Sequence, residues 1–102
     1  MYLMRAIGFV RPISCPHAGQ YLQSFDFEYR SGTGKGEFTH NPNHAKKFPS
    51  PGAVLEYWRT VSRTVPRRFP DGAPNRPLSC LTIEAVPFAL ALKGFSDRPA
   101  KR

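Results

Sequence analysis

Acidic side chains are scarce in this sequence. Seven Asp and Glu stand against fifteen Lys and Arg, a formal net charge of +8. That shortage excludes a surface of balanced charge, and such an excess on a small domain attracts polyanions and speeds their encounter with it. Nucleic acid and an acidic protein surface are the expected partners, and anionic lipid is the third polyanion the charge would suit. Cysteine is almost lacking as well. Cys15 and Cys80 are too few for a disulfide framework, which points to a cytoplasmic protein with reduced thiols. No apolar run approaches the roughly 20 residues of a membrane span, so no membrane partner is expected. The opening MYLMRAIGFVRP is broken by Arg5 and Gly8, and its apolar run is too short for a secretory leader.

Aromatic residues, by contrast, are abundant: eight Phe, four Tyr and one Trp in 102 residues. Disordered chains lack the apolar mass to offset chain entropy, and this chain has it. Its length fits one small domain with a modest core. The expected organisation is a single domain over 1–94, followed by a basic, frayed tail over 95–102.

Periodicity predicts the elements. In LMRAIGFV (3–10), Leu3, Ile7 and Phe9 oppose Met4, Ala6 and Val10, both sets mainly apolar, as in a strand covered on one side and partly shielded on the other. In GQYLQSFDFEYR (19–30), Tyr21, Phe25, Phe27 and Tyr29 alternate with polar residues, which predicts a half-buried strand. SGTGKG reads as a hairpin loop, and EFT (37–39) as a short returning strand. Asn41 followed by Pro42 predicts a single capped helical turn. Ser50 and Pro51 then open the main helix, expected over 51–63, with Val54, Leu55, Trp58 and Val61 as its apolar stripe. LSCLTIEAV (78–86) alternates as a strand with Leu81, Ile83 and Ala85 on one face; residues 88–92 suit a short strand or helix equally. The fold class is therefore α+β: a small antiparallel sheet of three or four strands packed on one main helix, in the order β-β-(β)-α-β.

No catalytic signature is present. Cys15, His17, His40 and His44 carry zinc-type donors, but only His40 and His44 have a ligand spacing, and Pro42 between them breaks a regular helix. The glycine loop fails the phosphate-loop pattern, because Tyr29 occupies the first glycine position and Gly36 follows Lys35. Asp26, Glu28, Glu37, Glu56, Asp71, Glu84 and Asp97 are scattered, with no nucleophile in an elbow. A non-enzymatic protein without cofactor or metal is expected.

Cations do cluster. From Arg30 to Arg76 there are nine Lys and Arg against three acids. Lys46 and Lys47 precede the helix, and Arg59 and Arg63, spaced i and i+4 on its expected second half, would share an outward face. Arg67, Arg68 and Arg76 follow in RTVPRRFPDGAPNRPLS (63–79). Its four prolines fix φ and stiffen it, and PDG makes a tight turn. Arg67 and Arg68 beside Phe69 can pair with phosphates and stack on a base. The segment is thus either an arm held out toward a polyanion or an Ω-loop folding Phe69 and Leu78 onto the core.

The runs EFTHNPNHAKKFPSPGAVLEYW and PDGAPNRPLSCLTIE resemble a pattern of small phage and prophage proteins: a short strand, an Asn-Pro turn, a capped helix with an aromatic pair, then a proline-arginine turn and a last strand. The resemblance covers roughly residues 19–86. Such proteins are mostly of unassigned function, so it carries over no site residue. It does imply a second possibility, since small phage-borne proteins often block a host complex, as anti-CRISPR proteins do. The expectation from the residues is binding of nucleic acid or a nucleoprotein complex through Lys46, Lys47, Arg59, Arg63, Arg67, Arg68, Phe69 and Arg76. The alternatives are an anti-defence inhibitor of a host protein surface and a structural adaptor of a phage particle.

Overall fold

The computed structural model describes residues 1–10, 14–68 and 71–96. Its elements run β1 (Tyr2–Phe9), β2 (Tyr21–Asp26), a single-turn α1 (Tyr29–Gly32), β3 (Lys35–Thr39), α2 (Pro51–Trp58), β4 (Leu81–Pro87) and α3 (Phe88–Ser96). Short 3-10 turns at Pro42–His44 and Pro77–Cys80 punctuate the connections. All strand pairs are antiparallel, in the order β3-β2-β1-β4. The fold is the expected α+β arrangement, with the optional third strand present.

Both faces of the sheet are covered, which is why β1 is apolar on each side. On one face Met4, Ala6, Leu22 and Leu81 meet Val54 of α2 together with Phe48 and Leu78. On the other, Leu3 and Val86 pack with Ala45 and Ala91 of α3. Each Leu, Val, Met or Phe among them contributes about 1.5–3 kcal/mol when fully removed from water. Ala and Leu, strong helix formers, settle residues 88–96 as a helix. Because α3 continues to Ser96, the first two residues of the expected tail are helical, and 97–102 lie outside the described residues.

Two bulges correct the face assignments. The β1–β4 register shifts between Ala6 and Gly8, which sends Phe9 to the same face as Met4 and Ala6 and leaves Ile7 46% exposed. The β2–β3 register shifts between Leu22 and Ser24, so Leu22 and Phe25 share the α2 face while Tyr21 packs on the other. An extra residue in a strand reverses the alternation beyond it.

The helix caps are as the sequence indicates. Asn41 Oδ1 accepts from the Asn43 N–H at 2.9 Å, and Ser50 Oγ accepts from the Ala53 N–H at 3.1 Å, each with proline next in the chain. The far end of α2 differs. The helix stops at Trp58 with Arg59 as its cap, five residues short of the expected end at 63, and Leu55 is 45% exposed instead of joining the apolar stripe. Strand β2 likewise ends at Asp26 instead of reaching 30, where Asp26 Oδ1 accepts from the Glu28 N–H and turns the chain.

Candidate nucleic-acid interface

One carboxylate gathers the segment that follows α2. Glu28 accepts hydrogen bonds from the Ser62 hydroxyl at 2.6 Å, from the Arg63 N–H at 2.7 Å, and from the Thr64 N–H and hydroxyl. Thr60-Val61-Ser62-Arg63-Thr64-Val65 is rich in β-branched and hydroxyl residues, which favour such local bonds over helix. The Ser62 and Thr64 hydroxyls, then the Arg63 N–H, hold the Glu28 carboxyl down from 4.5 to about 2. Ser62, 1% exposed, also accepts from the Val65 N–H.

From this anchor the chain rises into a hairpin. Arg67 and Pro74 form an antiparallel bridge, the Arg68 N–H donates to the Ala73 carbonyl at 2.8 Å, and the Asn75 N–H donates to the Pro66 carbonyl at 2.9 Å. Asp71 Oδ1 caps the turn by accepting from the Ala73 N–H at 3.0 Å. Asn75 secures the base: its Nδ2 donates to the Gly32 and Val65 carbonyls, both at 2.9 Å, and its own carbonyl accepts from the Ser62 N–H.

The surface beneath Asn75 is equally specific. Arg30, Ser31 and Gly32 take positive φ of 48°, 56° and 86°, a left-handed turn that costs roughly 1–2 kcal/mol for each residue with a Cβ. At Gly32 a Cβ would stand 2.6 Å from Asn75 Nδ2. Glycine here is required both by conformation and by the closeness of the arm.

The expected cationic residues divide among three clefts, with Arg59 and Arg67 outside all of them. Arg68 and Arg76 line one groove of about 660 Å³ at the arm's base, walled by Pro74, Pro77 and Cys80 and reaching Gly32 and Thr33. Arg67 lies on the arm but turns its guanidinium to the Gly72 carbonyl at 2.9 Å, and Arg68 pairs with Asp71 at 3.3 Å. Arg63 lines a cleft of about 260 Å³ with Phe25, Phe27 and Thr60. Lys46 and Lys47 line a third, of about 470 Å³, with Phe48, Tyr57 and again Thr60. Lys47 is turned inward, donating to the carbonyls of Pro42, Asn43 and Ala45. Because α2 ends early, Arg59 and Arg63 do not share a helix face: Arg59 is an exposed cap, and Arg63 belongs to the segment drawn toward Glu28. Phe69 lies outside the described residues. Leu78 is fully buried, so the foot of the 63–79 segment belongs to the core, while residues 66–68 pair with 73–75 in the hairpin.

Among the described residues there are two ion pairs, Arg5–Glu84 and Arg68–Asp71. The other described Lys and Arg form no ion pair with a described carboxylate. The residues with zinc-type donors are spread over separate contacts. His17 stacks on Phe38 with ring centroids 4.3 Å apart, and His40 Nε2 lies 3.3 Å from Gln20 Nε2. Among the described residues no three His, Cys, Asp or Glu side chains gather as a metal site, and no helix is long and apolar enough to cross a membrane. Partial desolvation pushes the Cys80 thiol up from its ordinary value, although the residue is exposed at the groove.

Glu28, Gly32 and Asn75 have no place among the expected site residues. Asn75, between two prolines in APNRP, was the one with a visible signal, since an amide there has no strand or helix to serve. No family model, curated protein or solved structure matches the chain.

Proposed function

We propose that this protein binds nucleic acid, free or within a nucleoprotein complex, and catalyses no reaction. The observation that carries this function is the groove in which Arg68 and Arg76 stand together at the base of a proline-stiffened arm. Guanidinium groups grip phosphate through paired N–H donors, and a stiff support reduces the entropy lost when they do so. The arm's backbone is bonded to the domain through Asn75 and Ser62, which supports such a stiff presentation of its arginines. Contacts to phosphate carry no base sequence, which makes binding general instead of sequence-selective.

The test is fluorescence anisotropy with labelled mixed-sequence oligonucleotides at low salt. Binding of all sequences with similar affinity is expected. A protein that leaves every oligonucleotide free acts elsewhere, and inhibition of a host effector by protein contact then takes the place of this function.

A further inference from the structure

A second surface, away from the arm's groove, joins the two clefts that share Thr60. Aromatic rings run through it edge to face: Phe25 to Phe27 at 4.8 Å, Phe27 to Tyr57 at 5.2 Å, and Tyr57 to Phe48 at 5.5 Å. Phe27 and Tyr57 are only half-buried. Lys46 Nζ lies over the Tyr57 ring, 5.0 Å from its centre, and 5.7 Å from the centre of the Phe48 ring.

Charge is arranged unevenly across this surface. The larger cleft holds Lys46 and Lys47, the latter already bonded to backbone carbonyls, and the smaller holds Arg63. The carboxylates are Asp26 and Glu28 in the smaller cleft and Glu56 in the larger. Glu28 is saturated by hydroxyl and N–H donors, and Asp26 has one oxygen occupied by the Glu28 N–H. A phosphate inside such a cleft would meet carboxylates, whereas a base would meet rings and a hydrogen-bond acceptor. Aromatic platforms flanked by cations are how proteins hold unpaired strands, with bases stacked inward and the backbone along the cations. A duplex keeps its bases stacked on each other and offers none to these rings.

We propose that the Phe27–Tyr57 surface takes the bases of a single strand, with Lys46 leaving the Tyr57 ring for a phosphate as a base replaces it. This inference rests on the nucleic-acid function above and adds to it the kind of nucleic acid that is bound.

The experiment compares a labelled single-stranded 20-mer with its own duplex under the same salt. The single strand is expected to bind at least about tenfold more tightly, and Tyr57→Leu to remove most of that preference, since one stacked base is worth roughly five- to over a hundredfold in affinity. Because Tyr57→Leu touches packed rings, a second measurement uses the unaltered protein. Ultraviolet crosslinking to a strand carrying 4-thiothymidine, followed by peptide mapping, is expected to mark Phe27 or Tyr57. Equal affinity for strand and duplex, with crosslinks confined to 63–76, overturns this inference and leaves the arm's function standing. Failure to bind either form overturns both.

Discussion

The Ser62 hydroxyl donates to the Glu28 carboxylate at 2.6 Å, joining the turn after β2 to the segment after α2 across 34 positions of sequence. That bond, with its neighbours from Arg63 and Thr64, fixes where α2 ends and where the arm begins.

Acid should loosen this joint. The Glu28 carboxyl titrates at about 2 in the fold against an ordinary 4.5, so its contribution to stability is complete above pH 4.5 and is lost as pH falls toward 2. Glu28→Gln is expected to be less stable than the parent at neutral pH, and to lose less further stability between pH 4.5 and 2. Thermal melts of both proteins across that range check this. Parallel curves would show that the carboxylate's charge does not matter to the joint.

Glycine substitutions should separate conformation from contact. Gly32 and Gly72 both hold positive φ, of 86° and 73°, so alanine is strained at each. Only at Gly32 does a Cβ collide, with Asn75 Nδ2 at 2.6 Å; around Gly72 nothing lies within 4 Å among the described residues. Gly32→Ala is expected to cost about 1–3 kcal/mol more than Gly72→Ala, because it displaces the two hydrogen bonds of Asn75. Chemical denaturation measures the difference.

Trp58 should be the costliest single residue to remove from α2. Its ring packs against the core and its Nε1 donates to the Leu81 carbonyl at 2.9 Å, locking helix to strand. Trp58→Ala is expected to cost about 3 kcal/mol, the lower end for a large aromatic because the side chain is half-buried. Trp58→Phe should cost about 1 kcal/mol, mainly through the lost hydrogen bond. An unchanged unfolding midpoint for Trp58→Ala would contradict this packing.

Local signals in the sequence were sufficient where the determining residues are neighbours. Ser50-Pro51 and Asn41-Pro42 mark their caps, and Leu81, Ile83 and Ala85 mark the inner face of β4, because caps and alternation are settled within a few residues. Most of the departures have distant causes, the turn after Asp26 being a local exception. The bulges at Ile7 and Gln23 depend on the partner strand's register, and the end of α2 depends on Glu28, far back in the chain. The cationic residues were visible as a cluster, but their division into three places was not. Lys47 looked like a surface charge until its three carbonyl partners were in place.

The arm's role is tested most directly by the salt dependence of oligonucleotide binding, measured for the parent and for Arg68→Ala/Arg76→Ala. Both residues are exposed, so the pair of substitutions is expected to shift stability by no more than about 0.5 kcal/mol. For the parent, log affinity should fall linearly with log salt, and the double variant should bind more weakly to all sequences alike, with the slope reduced by up to about 2. A variant with the parent's affinity and slope would contradict the account, leaving the arm as a stiff connection between α2 and β4.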